Sequence, residues 1–110
     1  MISDADLILE AKDILTRLND SVSKNGVTTN DEFRFREYLR DILIVVKKEN
    51  KVNNRLLINL DRFYQSVCTL KGLGTLKFSE QQNIIWREYD KFVYDNVKSQ
   101  LKVYSYSPVF

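Results

Sequence analysis

The side chains that do proton chemistry near neutral pH are scarce in this sequence. It contains no histidine, the residue used most often for proton transfer and the commonest metal ligand. Its one cysteine is Cys68. A zinc site would have to combine that single thiolate with carboxylates, unlike the ligand sets zinc usually takes. As a nucleophile, Cys68 would need an activating base beside it. It falls one helical turn after Tyr64, beside an apolar stripe, where a free cysteine behaves as a small hydrophobe. Carboxylates pair at Glu37–Asp41 and Glu88–Asp95, but Arg40 stands near Glu37 and Lys91 near Asp95. Such spacings describe surface ion pairs, not an acid–base couple. Gly72-Leu73-Gly74 has a phosphate-loop look only at first sight. A phosphate loop follows a strand and opens a helix, whereas this one follows a helical pattern, so a glycine C-cap is the better reading. No catalytic residue, cofactor or metal is expected.

What remains is chemistry of recognition. Arg34, Arg36 and Arg40 cluster in the second helical segment. Arg87, Lys91 and Lys98 form a stripe along the fourth, with Tyr94 alongside and Lys102 just beyond. Acids interleave both groups, so a solvated helix face explains them. A docking surface for an acidic or membrane-proximal partner is the sharper alternative. Nucleic acid is not expected, because it calls for a denser basic face or a helix-turn-helix signature. The last ten residues, Leu101 to Phe110, carry Tyr104, Tyr106, Pro108 and Phe110 among other apolar residues. Disordered tails are seldom so apolar. Such a tail either covers a seam on the third and fourth helices or contributes to a partner site.

The elements that must position these groups are legible as helices. Leu7, Ile8, Ala11, Ile14, Leu15, Leu18 and Val22 share one face of a helix over about 4–23. Asn25-Gly26 is a helix stop. Thr29-Asn30-Asp31-Glu32 reads as a capping box, opening a helix over 30–49 whose face is Phe35, Leu39, Ile42 and Val46. Asn53 or Asn54 caps a third over 54–71, with Leu56, Leu60, Phe63 and Val67 on its face. Ser79-Glu80-Gln81-Gln82 is a second capping box, opening a fourth over 80–99 with Ile85, Tyr89, Phe92 and Val93 inward. Short connections make neighbours antiparallel. The expected fold is therefore an all-α, up-down-up-down four-helix bundle over 1–100, with the tail at 101–110 packed on helices 3 and 4.

Composition agrees. The 110 residues are 44% hydrophobic and 29% charged, with three glycines and one proline, too few for the turns of a strand-rich fold. Net charge is +2. Residues 1–55 balance ten acids with ten bases, so the surplus lies in 56–110, with five acids and seven bases. A lone cysteine, an acidic start and no apolar run near the roughly 20 residues of a membrane span predict a soluble, cytoplasmic protein.

The sequence resembles the immunity proteins against pediocin-like (class IIa) bacteriocins, the enterocin A immunity group in particular. Leu56-Leu57-Ile58-Asn59-Leu60 followed by Phe63-Tyr64 is one carrier of the resemblance. Leu76-Lys77-Phe78-Ser79-Glu80-Gln81-Gln82, like the family's opening of its fourth helix, is another. A short tyrosine-rich, phenylalanine-terminated tail completes it. The sharpest match covers about 55–92. The resemblance implies a cytosolic four-helix bundle that protects a bacterium from a bacteriocin. Its partner would be the membrane subunits of the mannose phosphotransferase transporter with bacteriocin bound, met at the inner face of the membrane. Specificity would lie in the C-terminal half. The family offers no active site to carry over. The partner-binding residues expected from placement and chemistry are Arg87, Lys91, Tyr94, Lys98, Lys102, Tyr104, Tyr106, Pro108 and Phe110. The tail lacks the glycine some members have there, so their tail conformation is not carried over. The rival reading is a helical adaptor or regulator binding a soluble protein.

Overall fold

A computed structural model describes residues 3–23 and 29–101. The expected stop at Asn25-Gly26 and the tail residues from Lys102 onward, with their expected packing on helices 3 and 4, lie outside the described residues. Within them the chain forms α1 (Asp4–Ser23), α2 (Asn30–Lys48), α3 (Asn54–Gly72) and α4 (Glu80–Phe92), with no strand among the described residues.

Each helix starts where a short polar side chain satisfies a free backbone N–H. Ser3 Oγ accepts from the Asp6 N–H at 3.2 Å and Thr29 from Glu32 at 3.1 Å. Asn53, not Asn54, caps α3, accepting from Leu56 at 2.8 Å. At Ser79 the box is complete: Ser79 Oγ accepts from the Gln82 N–H, and Gln82 Oε1 accepts from the Ser79 N–H. Each such cap contributes about 1 kcal/mol.

The apolar stripes then close on one another. α1 packs against α2 and α4, and α3 against α2 and the continuation of α4. Cross-links between helices show the alternation of direction. Asp4 at the start of α1 accepts from the Val52 N–H just beyond α2, and Arg36 near the start of α2 donates to the Val22 carbonyl at the end of α1. Asp31 at the start of α2 accepts from Thr75 beyond α3. Tyr64 pairs with Asp90, while the earlier Asp61 pairs with the later Lys98. Adjacent helices therefore run antiparallel throughout, as an up-down-up-down bundle. The seven apolar positions expected on the first helix are all buried, as are the four named on each of the other three.

The fourth helix departs from expectation. It is not one regular α-helix over 80–99: α-winding ends at Phe92, Val93–Lys98 wind as a π-helix, and helix resumes through Leu101. The inward residues explain it. Ile85, Tyr89, Val93, Val97 and Leu101 are each four apart, and all are buried or packed on the core. On a 3.6-residue turn a strict stride of four drifts by about 40° per step. The wider π turn holds more residues and takes the drift back, keeping Val93 and Val97 fully buried against α3.

The α3–α4 connection refines another expectation. The helix does end at Gly72, as the glycine C-cap reading expects, but the cap residue is Leu73 in the right-handed region and no described glycine has positive φ. What Gly74 supplies is space. A Cβ there would collide with Asp31 Oδ2 and lie 2.7 Å from the Leu70 carbonyl oxygen, whereas a Cβ on Gly72 meets nothing within 4 Å. Gly74→Ala is therefore expected to destabilise the protein by about 1–3 kcal/mol, through overpacking against a backbone atom. Gly72→Ala should stabilise it by roughly 0.5–1 kcal/mol, by restricting the unfolded chain. Thermal melts of the two variants should shift in opposite directions.

Two carboxylates tie the bundle to pH. Thr75 donates both its N–H (2.6 Å) and its hydroxyl (3.1 Å) to Asp31 Oδ2, which holds the Asp31 carboxyl below the usual aspartate value. Arg17 grips Glu88 with two hydrogen bonds of 2.8 Å and likewise holds that carboxyl down. A lowered native pKa gives stability that is complete above the unfolded value and is lost as pH falls through the native one. Stability should therefore decline on acidification through and below the ordinary carboxylate range. Asp31→Asn and Glu88→Gln should each flatten that decline in denaturation curves taken across pH.

Candidate interaction surface on the third and fourth helices

The α3–α4 face is built around aromatic rings, because both helices place them on the facing stripe. Tyr64 stacks on Trp86 at 5.6 Å and 8° between planes. Phe63 meets Tyr89 edge-on at 5.5 Å. Phe78, from the connection, packs on Phe35 at 5.0 Å and on Trp86 at 5.8 Å. Contacts of this geometry contribute about 0.5–1.5 kcal/mol each beyond area burial. Lys71 lies over the Phe78 ring at 4.7 Å, covering the cluster from outside. Asn83 cannot complete a hydrophobic staple with Phe78; it donates to the Phe78 carbonyl instead.

Two phenols anchor this interior and neither is poised as a base. Tyr89 is fully buried and donates to the Leu60 carbonyl at 2.8 Å. Burial, then the charge of Asp61, push its hydroxyl well above the usual tyrosine value. Tyr64 donates to Asp90 Oδ1, and burial first, then that bond and the neighbouring Cys68, raise its pKa too. Both stay protonated at neutral pH and act as donors. Cys68 is half-buried beside Tyr64. Among the described residues no group of three or more His, Cys, Asp or Glu could hold a metal.

The π-helix decides which expected site residues meet. Tyr94 is 56% exposed, and its ring lies edge-on to Tyr64 at 6.0 Å. Lys98 reaches inward. Its Nζ is 3.0 Å from Asp61 Oδ1 and lies over the Tyr64 and Tyr94 rings at 5.5 and 5.4 Å. Asp61 thus compensates the Lys98 charge, and the Tyr94 ring lies beside the pair at the surface. Lys91 lies on the other side of the helix, in a recess against α1 with Glu10, Asp13 and Asp95. Arg87 is exposed. The single stripe expected from α-helical spacing is therefore split: Tyr94 and Lys98 face α3, and Lys91 faces α1. A residue of the π turn advances less than the roughly 100° of an α residue, which swings Lys98 away from Lys91. Lys102, Tyr104, Tyr106, Pro108 and Phe110 lie outside the described residues.

Asp61, Tyr64 and Asp90 belong to this surface and were not expected in it. The available signal was Asp61 one turn before Tyr64 on the flank of the third apolar stripe. The arrangement is a buried aromatic interior that carries one exposed ring, Tyr94, and one ion-paired cation, Lys98, at its edge. No helix among the described residues is long and apolar enough to cross a membrane. Set against family models, curated proteins and solved structures, the chain finds no match in any of the three.

Proposed function

We propose that this chain is an immunity protein against a pediocin-like bacteriocin. It acts stoichiometrically, by binding the bacteriocin-engaged mannose phosphotransferase transporter at the cytosolic face of the membrane. The observation that carries the reading is where the resemblance falls. Its two motifs, Leu56 to Tyr64 and Leu76 to Gln82, form the inner wall of α3 and the capped opening of α4. They build the aromatic interior that holds Tyr94 and Lys98 and leads the chain into its tail. A binding mechanism asks only for a rigid scaffold and a positioned surface, and this hairpin supplies both.

The test is expression of the chain in a strain sensitive to pediocin-like peptides, challenged with a panel of them. A raised inhibitory concentration for at least one member, with unrelated membrane-active peptides unaffected, is the expected result. Unchanged sensitivity to every peptide, with the folded protein present in the cells, would reject the proposal.

A further inference from the structure

The outer face of α2 carries apolar residues that the core does not use. Phe33 is 56% exposed and Ile44 is 45% exposed. They stand eleven residues apart, three helical turns or roughly 16 Å on one side of α2. Between them α1 and α2 leave a groove of about 530 Å³, floored by Val22 and Leu43. Its charged lining is Arg36, Arg40 and Lys47 against a single acid, Glu37. Phe33, Arg40 and Lys47 recur every seven residues, with Glu37 and Ile44 filling the same stripe. That is a second helical face on α2, distinct from the core face of Phe35, Leu39, Ile42 and Val46.

We propose that this groove docks an amphipathic helix of a partner protein, one with apolar anchors over three turns and acidic flanks. Three observations select that occupant. A trough that runs along α2 and is walled by the last turns of α1 fits a third rod, whereas a lipid surface would be met by a flat or convex face. The Phe33–Ile44 span matches the i, i+4, i+7, i+11 anchors with which a helix fills an apolar groove. With Arg36 held on the Val22 carbonyl and Arg40 lying 4.0 Å from Glu37, the lining still carries three cations to one anion, a net positive charge that favours carboxylates beside those anchors and disfavours lysines. Four-helix packing leaves the groove on the side opposite the α3–α4 face, so the site stands whether or not the immunity reading holds.

The test uses two labelled 18-residue helical peptides with leucine at i, i+4, i+7 and i+11, one flanked by glutamates and one by lysines. Their binding to the full chain is followed by fluorescence anisotropy. The glutamate peptide should bind and the lysine peptide should not. Phe33→Ser with Ile44→Ser, at exposed positions that leave the core intact, should weaken binding by about tenfold or more. Arg40→Glu with Lys47→Glu should reverse the preference between the peptides. Absence of binding, equal binding of both peptides, or binding indifferent to both double variants overturns the proposal. So does sedimentation of the wild type as a dimer that Phe33→Ser with Ile44→Ser dissociates, which would make the occupant a second copy. Binding of anionic vesicles in place of the peptides, lost in the same variants, would overturn it in favour of a lipid surface.

Discussion

Tyr89→Ala is expected to cost about 3–5 kcal/mol, the largest loss of any single truncation in the α3–α4 interior. Tyr89 has no exposed surface. Its ring lies 5.4 Å from Trp86, 5.5 Å from Phe63 and 6.0 Å from Phe92, so the cavity left behind would be walled by rings that cannot collapse into it. Native stabilities are only about 5–15 kcal/mol, so the variant should approach unfolding at modest temperature. Tyr89→Phe separates the two contributions. It keeps the ring contacts and deletes the hydroxyl that donates to the Leu60 carbonyl, a loss of roughly 1 kcal/mol. Urea denaturation should show the midpoint falling in that order with the slope unchanged. A Tyr89→Ala midpoint within error of wild type would refute the packing described for α3 and α4.

Removing residues 102–110 is expected to abolish protection of a sensitive strain while leaving the bundle helical. The position of the cut follows from the structure. Leu101 continues the four-residue stride of Ile85, Tyr89, Val93 and Val97 and packs on the core, so it has to stay. Beyond it, Lys102, Tyr104, Tyr106, Pro108 and Phe110 are the expected recognition residues. Circular dichroism should keep its helical signature, and the inhibitory concentration should fall to that of cells lacking the protein. A companion variant with Tyr104→Ala, Tyr106→Ala and Phe110→Ala keeps the backbone and should lose protection as well. Full protection by either would end the assignment of the tail to the partner site.

Much of the fold was legible because its determinants are local. The stride of Leu7, Ala11, Ile14, Leu18 and Val22 names a helix face with no knowledge of its neighbour. Ser79 and Gln82 cap one another across a single turn. The π-helix is written just as locally, in five apolar residues spaced by four, but a stride of four also fits an α-helix over any two turns. Only over four steps does the drift accumulate. Gly74 was not legible in its neighbourhood. Its need for a bare Cα comes from two groups, the Leu70 carbonyl oxygen and the carboxylate of Asp31 on another helix, and neither is written in the glycine's own neighbours. The recognition surface was legible in composition and not in geometry. Lysine, arginine and tyrosine in the fourth helix were visible, but the turning of Lys98 onto Asp61 depends on both the π-helix and the register of α3. Phe33 and Ile44 are inconspicuous in the sequence for a related reason. Single apolar residues on a helix surface are ordinary, and only the groove beside them makes them a pair.

In the proposed function the chain works by holding on to a bacteriocin-engaged transporter. Affinity-tagged chain recovered from sensitive cells, with and without a pediocin-like peptide added, tests it most directly. The mannose phosphotransferase membrane subunits should come down with the chain in near-equal amount when the peptide is present, and be lost when residues 102–110 are removed. Recovery of a soluble partner in place of the transporter, or of the transporter in equal amount with and without peptide, would contradict it.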